Sequence, residues 1–175
     1  MFYTSLKSVS IKTTSTTLHL GYCSEMSFEL SDVQNALRCI TSSAPQNLKT
    51  DALQFLERFQ RSIDAWEICN EVLSKPNSDL LELHVFAAQT LRNKVTYDLS
   101  QLEESGIHTL MQLKDSLLML LTLHSPKLIQ TQLNVALARL AIQFIQWKNP
   151  MIEIVTYLNL HPDCLLYTSP SPRDA

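Results

Sequence analysis

Glycine is almost missing from this chain: its 175 residues include only Gly21 and Gly106. Tight β-hairpins, dinucleotide-binding loops and P-loops all need glycine for backbone conformations that other residues avoid. Hairpin-rich β folds and nucleotide-cradling loops are thereby excluded, and an all-helical chain is the default. Positive charge is also in deficit. Lys and Arg total 14 against 17 Asp and Glu, giving a net charge of −3 and a pI near 5.9, so the footprint of a direct nucleic-acid or anionic-membrane binder is lacking. No apolar run reaches the roughly 18 residues of a membrane span, since the most hydrophobic stretch, Leu110 to Leu123, is broken by Gln112, Lys114 and Asp115.

Catalytic patterns are lacking as well. The four cysteines, Cys23, Cys39, Cys69 and Cys164, show no C-x-x-C spacing. The five histidines, His19, His84, His108, His124 and His161, form no H-x-x-x-H, H-E-x-x-H or His-Glu pair. No metal site, cofactor or catalytic set is expected, which weighs against a metal-dependent enzyme on a helical scaffold. The cysteines read as unpaired thiols of a reducing compartment, Cys39 and Cys69 as inert helix-face thiols, because no neighbouring His or Lys generates a thiolate. His84 reads as a packed or capping histidine and Trp66 as core. Glu103-Glu104 reads as solvated, since neighbouring positions do not face each other on a helix.

What is present is helical periodicity. Residues 1–25 are rich in Ser and Thr with no acid before Glu25, and read as a non-native or unstructured extension, or as a leader, with the authentic start at Met26. Ser31-Asp-Val-Gln34 has the form of a capping box opening a helix to Ile40. Helices follow over 46–61 (stripe Leu48, Ala52, Phe55, Leu56, Phe59), 63–74 (Ala65, Ile68, Cys69, Val72) and 82–94, the last capped by Ser78 or Asp79. Residues 95–107 form a longer connection with Gly106 as its flexible point. Further helices span 108–123, 127–147, started by Ser125 with Pro126 at the first helical position, and 150–158, started by Asn149-Pro150. Beyond Asp163 periodicity stops. Residues 164–175 resemble the in-frame translation of a sequencing adapter and are set aside.

The helices repeat. Ala52, Ala87 and Ala136 stand in one register with Leu56, Leu91 and Leu140, each pair four apart, at offsets of 35 and 49 residues, the longer containing the 95–107 insertion. Helical pairs at such periods point to a HEAT or armadillo array, here a right-handed α-solenoid of about three helical hairpins plus the start of a fourth, over 26–163. An ordinary six- or seven-helix bundle is the alternative. Facing away from the apolar stripes of the inner helices is a ladder of Gln54, Glu57, Arg58, Arg61, Glu82, Gln89, Arg92, Gln132, Arg139 and Gln143. Its arginines and amides suit a protein partner on a continuous concave surface.

Three segments, Ala52 to Ser62, Ala65 to Cys69 and Phe86 to Val95, look like the N-terminal domain of importin-β-type nuclear transport receptors. Lys94 to Leu99 and Leu133 to Ala141 are similar to the transportin-SR branch, including its fungal mRNA-transport regulator. The resemblance covers roughly 28–160. It implies a HEAT-repeat karyopherin that shuttles between cytoplasm and nucleus and binds the GTP-loaded small GTPase Ran through its first inner helices, making the ten ladder residues Ran-binding candidates. It implies import of RNA-binding protein cargo of SR or RGG type, with cargo and nucleoporin contacts in later repeats, no direct nucleic acid, no membrane and no enzymatic step. An exportin, or a generic HEAT scaffold that binds protein partners without regard to nucleotide, is the alternative reading.

Overall fold

The computed structural model describes residues 28–75, 81–104, 106–123 and 126–161; the extension 1–25, the caps at Ser78, Asp79 and Ser125, and the tail 164–175 lie outside them. All elements in the described residues are helices: α1 Leu30–Thr41, α2 Gln46–Arg61, α3 Asp64–Leu73, α4 Leu81–Tyr97, α5 Ser100–Glu103, α6 Ile107–Leu123, α7 Lys127–Gln143 and α8 Pro150–Asn159. Pairs α1–α2, α3–α4 and α6–α7 pack as antiparallel hairpins, and α8 begins a fourth against α6. The second member of each hairpin stacks on its successor, with the α4–α7 contact the most extensive. This is the α-solenoid of HEAT repeats, and α2, α4 and α7 are its inner helices.

Helix α4 is central because neighbours cover it on several sides. Leu83, Ala87, Ala88 and Leu91 are all buried, as their spacing predicts, and His84, Thr90, Lys94 and Val95 are buried with them. Ala87, Ala88 and Ala136 of α7 bring no long side chain into the stack, so the backbones of α4 and α7 approach closely. At the other flank Phe28 packs on Phe55 and Phe59 with ring centroids 5.4 and 5.6 Å apart, and Phe59 stacks on Phe86 at 6.2 Å, joining α2 to α4. His84 donates from Nε2 to the carbonyl of Lys75 at 2.9 Å and so caps the end of α3, the capping role read for it from sequence.

Several sequence expectations are corrected. There is no capping box at Ser31: the N-cap is Glu29, two residues earlier, and the Ser31 hydroxyl points to the Glu29 carboxylate at 3.5 Å. Leu48 is exposed rather than on the buried stripe, because α2 has an inner neighbour on one side only among the described residues. Helix α4 runs to Tyr97, three residues past Lys94, and the connection after it contains the short α5. Helix α7 ends at Gln143 rather than 147, with Pro126 as its N-cap instead of its first helical residue. Phe144 and Trp147 are still buried, so the apolar pattern continued past the helix end without the backbone following. Gly106 does take a positive φ, +99°, and Asn149 a left-handed one, φ 57°, just before Pro150. The α7–α8 end displays Ile142, Ile145, Met151 and Ile152, all more than two-thirds exposed.

The close α4–α7 approach is testable. Ala88→Leu should destabilise the chain by about 1–3 kcal/mol in urea denaturation followed by circular dichroism. Leucine at exposed Ala138 of α7 should change stability by no more than about 0.5 kcal/mol.

Candidate functional site

The inner surface carries two grooves. The first, of about 340 Å³, lies between the C-terminal halves of α2 and α4 and is lined by Glu57, Gln60 and Arg61 on one wall and Asn93, Lys94, Tyr97 and Asp98 on the other. Its floor is the Lys94 ammonium, whose side chain is only 1% exposed. Nζ donates to the carbonyl of Ser62 at 2.8 Å, to that of Gln60 at 3.4 Å and to Asp98 Oδ2 at 3.2 Å, and sits 5.3 Å over the Trp66 ring. These carbonyls belong to the C-terminal end of α2, where no further turn supplies N–H partners and the helix dipole favours a cation. Burial pushes the Lys94 pKa below its ordinary value, and the bond to Asp98 opposes that shift.

A second polar chain runs beneath. Gln60 Nε2 donates to Thr90 Oγ1 at 3.1 Å. The Thr90 hydroxyl in turn bonds Cys69, whose thiol burial pushes up to about 12. Cys69 is buried as expected, but the fold does bring a lysine, Lys94, near it; burial outweighs that charge and keeps the thiol protonated, whereas Cys39 is only half-buried. The groove thus has an immobilised floor and a solvent-facing rim. Tyr97 is 80% exposed on that rim beside Arg61 and Glu57. An exposed tyrosine with an arginine and a carboxylate suits a protein surface, since Tyr and Arg contribute large contact areas and bidentate hydrogen bonds.

The second groove, of about 410 Å³, is apolar and bounded by α1, α4 and the start of α7. Leu37, Ile40, Val85, Phe86 and Leu128 form its walls, with Glu82 and Gln89 at its edge.

The ten ladder residues are therefore divided. Glu57 and Arg61 meet in the polar groove, and Glu82 and Gln89 meet at the apolar one. Arg92 is half-buried, with Nε and Nη2 on Asn93 Oδ1 at 3.3 and 3.0 Å. Gln54, Arg58 and Arg139 are exposed and line neither groove. Gln132 is half-buried with a buried, unpaired Oε1, and Gln143 donates to the Val95 carbonyl at 3.2 Å, tying α7 to α4. Sequence reasoning missed Asn93, Tyr97 and Asp98. Leu91, Val95 and Leu99 continue the apolar stripe at four-residue spacing and are all buried, a signal that α4 outlasts Lys94. Among the described residues no three His, Cys, Asp or Glu side chains cluster as metal ligands, and no helix is long and apolar enough to cross a membrane.

Both walls of the polar groove fall within residues 52–121, which match the importin-beta N-terminal domain family. The chain is 64% identical over 140 residues to the mRNA transport regulator MTR10 of Saccharomyces cerevisiae, which spans 79% of this chain and 14% of that protein. It is 34% identical over 122 residues to an uncharacterised protein of Schizosaccharomyces pombe, spanning 69% of this chain and 12% of the relative. It is 32% identical over 110 residues to the transportin MOS14 of Arabidopsis thaliana, spanning 63% of this chain and 11% of the relative. The chain thus spans less than a sixth of the length of the curated relatives it matches.

Two outcomes follow from the groove floor. Lys94→Met should lower stability by about 1–3 kcal/mol in urea denaturation, because two helix-end carbonyls and Asp98 lose a charged donor, and Lys94→Ala should cost more through the added cavity. In alkali, Cys69 and Lys94 act with opposite sign. The unfolded thiol ionises near its ordinary value of 9.0 while the folded one holds its proton to about 12, so its contribution is intact below pH 9 and is lost as pH rises above it. Lys94, with a lowered folded pKa, penalises the fold at neutral pH, and that penalty is relieved as pH approaches 10.5. Relative to the parent chain, Cys69→Ala should therefore gain about 1–2 kcal/mol between pH 8 and pH 10.5, measured as the change in the stability difference.

Proposed function

We propose that this chain, which belongs to the importin-β-type karyopherins of the transportin branch, is the GTPase-sensing end of a nuclear transport receptor and binds Ran-GTP through the inner helices α2, α4 and α7. The observation that carries the reading is the polar groove between α2 and α4, where Arg61, Glu57, Asn93 and the exposed Tyr97 stand on a floor fixed by buried Lys94, inside the matched importin-beta N-terminal segment. A small GTPase offers a surface of mixed charge, and its switch segments change shape with nucleotide, so a rigid polar groove can respond to the bound nucleotide through contact geometry alone.

Under this reading the protein is not an enzyme: its chemistry is contact and release. The apolar groove around Val85 and Phe86, edged by Glu82 and Gln89, extends the same face toward α7. Cargo of the RNA-binding protein class and contacts with nucleoporins belong to repeats of the longer receptor, which would move between cytoplasm and nucleus. The name of the yeast relative, an mRNA transport regulator, agrees with that cargo class.

A pull-down of the chain with Ran locked in its GTP or GDP state tests the proposal. Selective capture of the GTP form is expected, and equal or absent capture by a folded chain would sink it. Arg61→Glu and Tyr97→Ala should each weaken capture by about tenfold while leaving the helical circular dichroism unchanged.

A further inference from the structure

On the opposite side of the layer, the outer helices α3 and α6 scarcely touch. The side chains facing across the gap are mostly short and polar: Asn70 on α3, and Thr109, Gln112 and Ser116 on α6. Such side chains cannot interlock as apolar ridges do. The gap is also propped. Trp66 Nε1 donates to Gln101 Oε1 at 3.2 Å, pinning α5 beside α3 and placing Leu102 in the space between the hairpins. A cleft of about 570 Å³ remains, deep enough that Leu91 of the inner helix α4 forms part of its floor together with Trp66, Leu113 and Leu117. That volume lies in the range of sites that hold side chains or small ligands.

The cleft also has a charge of one sign. Glu67 and Asp115 line it, and no lysine or arginine does. Glu67 is exposed and makes no ion pair among the described residues. Asp115 is 71% exposed and lies 3.3 Å from Lys114, but the Lys114 ammonium is held more closely by Glu153 at 2.5 Å. The amides of Asn70 and Gln112 line the same cleft, groups that pair naturally with an extended backbone.

We propose that this cleft is a second binding site, for a short extended peptide of a partner protein that carries an arginine or lysine flanked by leucine-sized apolar side chains. The apolar side chains enter between α3 and α6 onto Trp66, Leu91 and Leu113. The cation lies between Glu67 and Asp115, where it meets two carboxylates without a competing base in the cleft lining. Asn70 and Gln112 bond the peptide backbone. The site is independent of the inner groove: Trp66 lines the cleft and carries Lys94 over its ring, while none of the rim residues Glu57, Arg61 or Tyr97 takes part.

The test uses the whole chain and fluorescein-labelled peptides that share a Leu-X-Leu core with X as arginine, glutamine or glutamate, followed by fluorescence anisotropy, with a neutral Phe-Gly repeat peptide as comparison. Saturable binding of the arginine peptide is expected, falling with added salt and weaker by about tenfold or more for the glutamate peptide. Glu67→Lys and Asp115→Lys should each weaken the arginine peptide and reverse the preference toward the glutamate one, without altering nucleotide-dependent capture of Ran. Arg61→Glu should leave peptide binding unchanged. Absence of saturable binding by the folded chain, equal binding of arginine and glutamate peptides, loss of peptide binding in Arg61→Glu, or a Phe-Gly peptide binding as tightly as the arginine one would each overturn the proposal. Because capture of Ran is measured on the same proteins, failure here is distinguishable from failure of the inner-face reading.

Discussion

The α2–α4 half of the solenoid depends on one buried ammonium. Taking a lysine out of water is costly unless its charge is met, and in this fold Lys94 is met by the terminal carbonyls of α2, by Asp98 just past the end of α4, and by the face of Trp66 from α3. Three helices are held to one point by a group that has no low-energy alternative place in the interior. The consequence is orientational: the angle between α2 and α4 is set where the carbonyls of Gln60 and Ser62 point. Apolar packing by Phe59 and Phe86 alone would allow sliding, because dispersion contacts are non-directional.

A similar device recurs further along the array. Lys114 of α6 lies 5.7 Å from the Trp147 ring and bonds Glu153 of α8, and Trp147 Nε1 donates to the other oxygen of the same carboxylate at 2.7 Å. The electrostatic outcome differs, and exposure decides it. Around Lys94 burial wins and the pKa falls. Around Lys114, with its side chain 15% exposed, burial still opposes the charge, but Glu153 and Asp115 outweigh it and the pKa rises, while the bond from Lys114 holds Glu153 below its ordinary value. Each cluster ties an outer helix or loop to the next element in the array. Stiffness in a solenoid has to be supplied interface by interface, because each repeat contacts only its neighbours.

This arrangement agrees with the proposed role, in which contact rather than chemistry is the task. The interior polar groups are paired among themselves, with the buried Oε1 of Gln132 the exception among the described residues, while the groups at the rim of the inner groove are left to solvent. Inner and outer faces are also distinct in character. The inner face offers an arginine, a tyrosine and carboxylates beside an apolar groove, and the outer cleft offers carboxylates, amides and hydroxyls over an apolar floor.

By itself the sequence determined the helical class, the repeat and most of the core. Near-absence of glycine leaves few alternatives to helix, and the alanines four residues before Leu56, Leu91 and Leu140 mark register because α4 and α7 can approach only where side chains are small. Bounds such as Gln46–Arg61 are legible because Pro45 and Ser62 punctuate them. Helix ends without such punctuation were not: α4 gains a turn past Lys94 and α7 stops at Gln143 although Phe144 and Trp147 keep the apolar pattern. Only tertiary structure decided how the ten-residue ladder divides. Helical spacing says which way a side chain leaves its own axis, but whether Gln143 faces a partner or the carbonyl of Val95 depends on where a helix 48 residues away is packed. The role of Lys94 was hidden for the same reason. A lysine near a helix end reads as solvated, and it becomes the interior anchor only because the carbonyls of another helix are brought to it.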